Sequence, residues 1–282
     1  MFVTLALASA AFYGAADFLG GLASKRADSV VVTFVAQAAG LVLLALLLPV
    51  LPSSSPVPSD YVWGVAAGVA GSVGVALLYR ALAIGTMSIV APITAVCAAA
   101  VPVLVALALG EQPGILAGMG IVLTAVAITL LSQGQSSATP ARGQRWATTS
   151  IGMALISGVA VGLFFLCLAQ TSDDAGMWPL IVGRSVSVPL FGLMAARTPQ
   201  RVRLELRVAT TAAGCGMVDM LANALYLIAT RHGPLSLVAT LASLYPASTV
   251  LLARLTLGER LSGSQALGVV CALVAVVLIV ST

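Results

Sequence analysis

The sequence predicts an all-α membrane protein of ten transmembrane helices arranged as two inverted five-helix repeats. Three observations lead there. The chain is 60% hydrophobic and only 8% charged, with a mean hydropathy of +1.10, whereas a soluble domain carries roughly 25% charged residues. Apolar runs of the length a bilayer-spanning helix needs, about 20 residues, fill nearly all of it. The stretch Ala81–Glu111 also occurs twice: an offset of 148 carries it onto Ala229–Glu259 without a gap. The period-2 alternation of a membrane barrel is absent.

In a chain this apolar, matched Ala and Leu mean little. Matched Gly85/Gly233, Ser88/Ser236, Gly110/Gly258 and Glu111/Glu259 mean more, and the same register pairs Ser9/Ser157, Gly14/Gly162, Gly68/Gly216 and Gly120/Gly268. A repeat of this kind divides the chain into 1–133, a polar linker at 134–149, and 150–282.

Taken in order, the first segment, 2–22, sets Ser9, Tyr13 and Asp17 at four-residue spacing on one face. Its Ala8-Ser9-Ala10 resembles a signal-peptidase site, but no basic region precedes it, so it reads as an uncleaved helix. The second, 30–50, carries Thr33 and Gln37 and stops at the Pro/Ser loop Pro52–Pro58. The third, 61–80, spaces Gly64, Gly68 and Gly71 for close helix packing, as Gly114 and Gly118 do in the fifth, 114–132. The fourth, 87–109, contains Pro92 and Pro102 and ends at Gly110-Glu111. The second copy runs through 150–170, then 177–196 with Pro179, Arg184 and Pro189, then 208–229 with Asp219, Asn223 and Tyr226. It closes with 235–257, which holds Ser236, Thr240, Ser243 and Pro246 and ends at Gly258-Glu259, and with 262–280. At both corners glycine suits a left-handed position after a helix. The Glu that follows stands at the start of the next helix, where the dipole favours a carboxylate. The two corners read as structural.

Five spans per copy bring the second copy into the bilayer from the opposite side. Lys25, Arg26, Arg80, Arg142, Arg145, Arg197, Arg201, Arg203, Arg207, Arg254 and Arg260 occupy or abut the odd-numbered loops, and the even ones hold only Arg231. The positive-inside rule places the odd loops in the cytoplasm and both termini outside. The net charge of +4 is thereby a matter of topology, and no nucleic-acid partner is expected.

Charge inside hydrocarbon costs about 2.5–3.5 kcal/mol on insertion scales, so it faces a cavity or a partner. Asp219, Asn223 and Tyr226 share a face, which is either part of a substrate pocket with Asp219 as a proton-accepting carboxylate or a structural hydrogen-bond cluster. Asp17 belongs to a pocket with Tyr13, or pairs with Lys25 or Arg26 near the interface. Arg184 binds an anionic group, or pairs with Asp17 or Asp219. Thr33, Gln37 and the hydroxyls of the ninth segment form weaker polar stripes, since short hydroxyls in such helices often bond their own backbone.

The cysteines, at 97, 167, 215 and 271, stand singly, with no metal-ligand spacing. There is no phosphate loop, no His-Glu-x-x-His and no Gly-x-Ser-x-Gly. No metal, no cofactor and no enzymatic activity are expected, and ATP-driven pumping within this chain is disfavoured.

The run Ala81-Leu-Ala-Ile-Gly-Thr-Met-Ser-Ile-Val-Ala-Pro92 leading to Leu109-Gly-Glu111 resembles EamA-type members of the drug/metabolite transporter superfamily. So do its second copy, with Tyr245-Pro246 and Leu257-Gly-Glu259, and the opening Gly14-Ala-Ala-Asp17-Phe-Leu-Gly-Gly21. The resemblance covers the whole chain and implies a secondary transporter, often an exporter, working by alternating access. The family's substrates include amino acids, sugars, nucleosides and drugs. One departure stands out: Cys97-Ala98 replaces Tyr245-Pro246 in the first copy, so segments four and nine should bend at different points.

The expectation is a permease of the plasma membrane, of the bacterial inner-membrane type, that carries a small molecule and has the lipid bilayer as its other partner. Its central pocket is expected to be lined by Asp219, Asn223, Tyr226, Arg184, Asp17, Tyr13 and Gln37. Proton coupling is the leading energy source, and an acid and an Arg together suit a zwitterion. The alternative is a passive channel for a small polar solute. That would need a continuous polar stripe, whereas these groups are sparse and near mid-depth.

Overall fold

A computed structural model of the chain describes residues 1–50, 54–84, 87–131, 144–197, 205–257 and 262–281. Most of the linker and the Gly258-Glu259 corner lie outside the described residues. Within them the protein is helical, without strands: α1 (Phe2–Ser24), α2 (Ser29–Leu47), α3 (Pro58–Ile84), α4 (Met87–Ala108), α5 (Ile115–Leu131), α6 (Gln144–Ala169), α7 (Trp178–Ala196), α8 (Leu206–Thr230), α9 (Leu235–Ala242), α10 (Tyr245–Leu257) and α11 (Gly263–Val280). Six of them (α1, α2, α3, α6, α7 and α8) are long and apolar enough to cross a bilayer. The apolar stretches Ile93–Ala108, Ile115–Leu130, Leu235–Thr249 and Gly263–Ile279 are shorter. The chain is a multi-pass membrane protein.

Local chemistry sets the helix ends. Asp28 caps α2 by accepting from the Val30 amide at 2.8 Å, and Ser262 and Gln265 form a reciprocal capping box on α11. After α4, Gly110 takes φ +97°, and the Glu111 and Gly110 amides return to the Ala106 and Leu107 carbonyls at 3.0 and 3.1 Å. That bonding pattern satisfies two orphan carbonyls.

The expected ninth segment is two helices. The chain breaks at Ser243–Leu244 and restarts at Tyr245. Pro246 offers no amide to close a turn backward, yet it suits the first turn of a new helix. α4, which has Cys97-Ala98 at that place, runs unbroken through Pro92 and Pro102.

The extensive helix packing joins the two halves of the sequence: α1 lies on α8, α9 and α10, α3 on α6 and α7, α2 on α7 and α8, α4 on α6, and α5 on α11. Sequence neighbours within a half touch far less, so the halves share one core. Small residues allow the approach, since backbone proximity holds helices together in lipid. A Cβ on Gly216 would collide with the Ala36 carbonyl, and one on Gly68 would stand 2.6 Å from the Gly183 carbonyl oxygen. Gly64 and Gly71 likewise face Val182 and Phe164. The expectation for Gly118 needs correcting. A Cβ there meets nothing within 4 Å, and the close contact of α5 falls instead at Gly120, against Ile279 of α11.

Candidate functional site

Halfway along the helices lies a cavity of about 80 Å³ bounded by α1, α2, α3, α6, α7 and α8, with Thr94 of α4 and Tyr245 of α10 completing it. One water needs roughly 10–15 Å³ on that measure, so it holds several waters or a small solute.

The cavity has two unlike walls. α1, α2, α7 and α8 present a connected polar network. Arg184, 9% exposed, donates through one terminal nitrogen to Gln37 Oε1 and through the other to Asp219 Oδ2. Ser187, one turn on from Arg184, also donates to Gln37 Oε1, at 3.0 Å. Asn223 Nδ2 donates to the Asp219 backbone carbonyl at 2.7 Å and to its carboxylate at 3.0 Å. The Tyr13 hydroxyl donates to Asn223 Oδ1 at 2.9 Å. The guanidinium is thus satisfied by a carboxylate and an amide, as a buried charge requires. α3 and α6 form the opposite wall with Ala67, Gly68, Gly71, Val75, Leu78, Val161, Phe164 and Phe165, where Ser72 is turned to the Gly68 carbonyl of its own helix.

Of the seven residues expected to line a pocket, six do: Asp219, Asn223, Arg184, Asp17, Tyr13 and Gln37. Asp17 pairs with neither Lys25 nor Arg26. Among the described residues the ion pair is Arg184–Asp219, and the Asp17 side chain makes no hydrogen bond. It faces the cavity together with Asp219, Tyr13 and Tyr245. Tyr226 is set back from the lining. It is fully buried, its ring stacks on Phe165 at 4.4 Å, and its hydroxyl reaches the Phe165 carbonyl at 3.4 Å. Seven residues beyond Asp219 it stands about two turns further along α8, past the cavity. Thr33, Thr240 and Ser243 bond carbonyls of their own helices.

Sequence reasoning passed over Ser187, although its spacing from Arg184 was the available signal. It also passed over Phe164, Phe165 and Tyr245 as lining residues. Tyr13 meets Phe165 at 5.6 Å and Tyr245 edge-on at 6.4 Å between ring centroids. The break before α10 aims Tyr245 at the cavity, and no spacing rule locates that break.

Polar ties cross between loops at one end of the bundle. Buried Asp60 accepts from the Ser172 amide and hydroxyl, each at 2.8 Å, and Arg231 donates to the Gly176 carbonyl at 2.7 Å. Glu111 does not serve α5, the next helix, as expected. Its carboxylate accepts from the Leu235 and Ser236 amides at 2.8 and 3.1 Å, at the start of α9 in the other half. A helix start with its free amides is as favourable a site for an anion there as on α5. Glu259 lies outside the described residues.

Comparison with known proteins agrees with this picture. The model of the EamA-like transporter family matches residues 1–133 and 148–281. A crystal structure 17% identical in sequence superposes with a TM-score of 0.71 over 96% of this chain and 95% of the other, a likeness of fold. No curated protein matches the sequence.

Proposed function

The chain belongs to the EamA-like transporter family of the drug/metabolite transporter superfamily, and from that premise we propose a secondary active permease, working as an exporter, that carries a small metabolite by alternating access. The family's members are transporters rather than enzymes. The observation that carries the finer reading is the cavity itself: both halves build it, and its only ion pair among the described residues is oriented into it.

Alternating access needs two units that can rock against one another about the site, and inverted repeats supply them. The packing supports such a relation between 1–133 and 150–282. Shifted by the 148-residue register, α1 on α8 becomes α6 on α3, and α2 on α8 becomes α7 on α3, both of which occur. Ser9 donates to the Ala222 carbonyl at 2.8 Å, and its mate Ser157 donates to the Gly74 carbonyl, the mate of Ala222, at 2.7 Å. With the odd loops cytoplasmic by charge, the cross-loop ties of Asp60, Glu111 and Arg231 fall on the outer face of a plasma membrane. Proton coupling through Asp219 and Asp17 is the energy source this arrangement favours.

The test is reconstitution. A thermal-shift screen of purified protein against a metabolite library yields a ligand, because binding stabilises the fold by mass action. Proteoliposomes loaded with that ligand should show saturable, trans-stimulated uptake. A non-saturating ohmic current would instead make the protein a channel. Reporter fusions that place both halves in the same sense across the membrane would remove the inverted-repeat reading. Proton coupling fails if Asp17→Asn and Asp219→Asn both leave transport and its pH dependence unchanged.

A further inference from the structure

We propose that the cavity takes a small amphipathic organic ammonium ion, with its cationic head at Asp17 and its apolar body along the α3/α6 wall. The inference rests on the reading of this cavity as the substrate site and adds the chemical class of the ligand.

Charge accounting comes first. Arg184 is committed to Asp219 and Gln37, and Asn223 further holds the Asp219 carboxylate. Asp17 makes neither an ion pair nor a hydrogen bond among the described residues. One negative charge in the lining therefore lacks a counterion. A carboxylate within a bundle is stable only with a partner or a proton, and an incoming cation supplies the partner.

An anion would meet Asp17 with no free cation to receive it. A zwitterion, which the presence of both acid and Arg in the sequence invites, fares little better, because the guanidinium is already spent. Tyr13 and Tyr245 line the same cavity as Asp17, and aromatic faces attract organic cations. A bare metal ion gains nothing from the opposite wall, and the described residues hold no cluster of three acidic, His or Cys side chains. That wall, with Val75, Val161, Phe164 and Phe165, suits a hydrocarbon group several atoms long.

The experiment uses purified full-length protein in detergent, read by melting temperature at graded ligand concentrations, and four-carbon probes of matched shape: butylammonium, butyrate, butanol and 4-aminobutyrate. Butylammonium should stabilise saturably, and the other three should bind at least about tenfold more weakly. Asp17→Asn should weaken butylammonium about tenfold or more, the scale of losing a charge-assisted contact. In unmutated protein, affinity should climb from methyl- through ethyl- to butylammonium by roughly three- to fourfold per methylene, a series that needs no variant to fold. The proposal is overturned if butyrate or 4-aminobutyrate binds as well as butylammonium, if the alkyl series is flat, or if butylammonium gives no shift at millimolar concentration. Saturable exchange of an anion or zwitterion would remove this ligand class and leave the carrier standing. Butylammonium binding combined with ohmic flux would do the reverse.

Discussion

Replacing Arg184 by methionine removes the guanidinium while keeping most of the side chain's length. In the intact protein the Arg184 and Asp219 side chains are 10% and 24% exposed. Without the arginine, Asp219 keeps only the amide of Asn223, Gln37 keeps only the Ser187 hydroxyl, and two unopposed carboxylates face one cavity. Breaking a buried pair from one side costs about 3–5 kcal/mol. The partial exposure of Asp219 allows some relief by water, so about 2–4 kcal/mol is expected after that discount. At roughly 2–4 °C per kcal/mol for a chain of this size, Arg184→Met should melt about 4–16 °C lower. Asp219→Asn should cost less, about 1–2 kcal/mol, because Arg184 retains Gln37 and the asparagine amide oxygen can still accept from it. The double variant Arg184→Met/Asp219→Asn leaves no orphaned partner and should recover part of the loss, so the two effects are not additive. Melting temperatures of the four proteins in one detergent decide the matter. If Arg184→Met melts within about 2 °C of the parent, or if the double variant loses the full sum, the network does not have the energetics described.

Three further outcomes follow from other parts of the bundle. Glu111→Gln weakens two charge-assisted bonds to the start of α9 and should lower stability by about 1–2 kcal/mol in a melting assay; an unchanged melt would mean the contact is incidental. Gly216→Ala drives a methyl into the Ala36 carbonyl and should cost about 1–3 kcal/mol, whereas Gly118→Ala faces open space and should be neutral or gain up to about 1 kcal/mol of helix propensity. Equal effects at the two glycines would refute the packing account. Tyr226→Phe removes a hydroxyl set behind the cavity and should leave ligand affinity within about twofold, and a tenfold loss measured by titration would bring Tyr226 into the site.

Helix positions were legible because composition and punctuation both act locally. Pro58 and Gly110 stand at real ends, and among the described residues six of the apolar runs form helices of span length. The polar lining was legible because charge inside hydrocarbon is rare enough that Asp17, Arg184 and Asp219 single themselves out. Three things were not readable. Whether Arg184 pairs with Asp17 or Asp219 depends on distances between helices far apart in sequence. Tyr226 shares a helical face with Asp219, yet a seven-residue step climbs two turns and leaves the cavity for the Phe165 ring. The carboxylate of Glu111 passes over its own next helix because the start of α9 lies closer, a fact of tertiary packing.

The two copies agree where helices touch and differ where they face the cavity. Ser9 and Ser157 make the same bond, to Ala222 and Gly74, so that contact serves the frame. Inside, the register pairs Asp17 with Phe165, Asp219 with Gly71, Asn223 with Val75 and Tyr13 with Val161, and all eight line the cavity. Had both copies kept the carboxylates, four like charges would converge on a space of about 80 Å³, and their mutual repulsion would oppose folding. Had both kept the apolar set, no group would select a ligand by charge. Divergence between the copies, at α1 against α6 and at α8 against α3, answers both problems at once: it leaves one polar wall able to neutralise all but a single charge, and one smooth wall against it. On the proposed carrier reading, a cavity so divided would orient its occupant as the halves rock, because each wall draws helices from both halves.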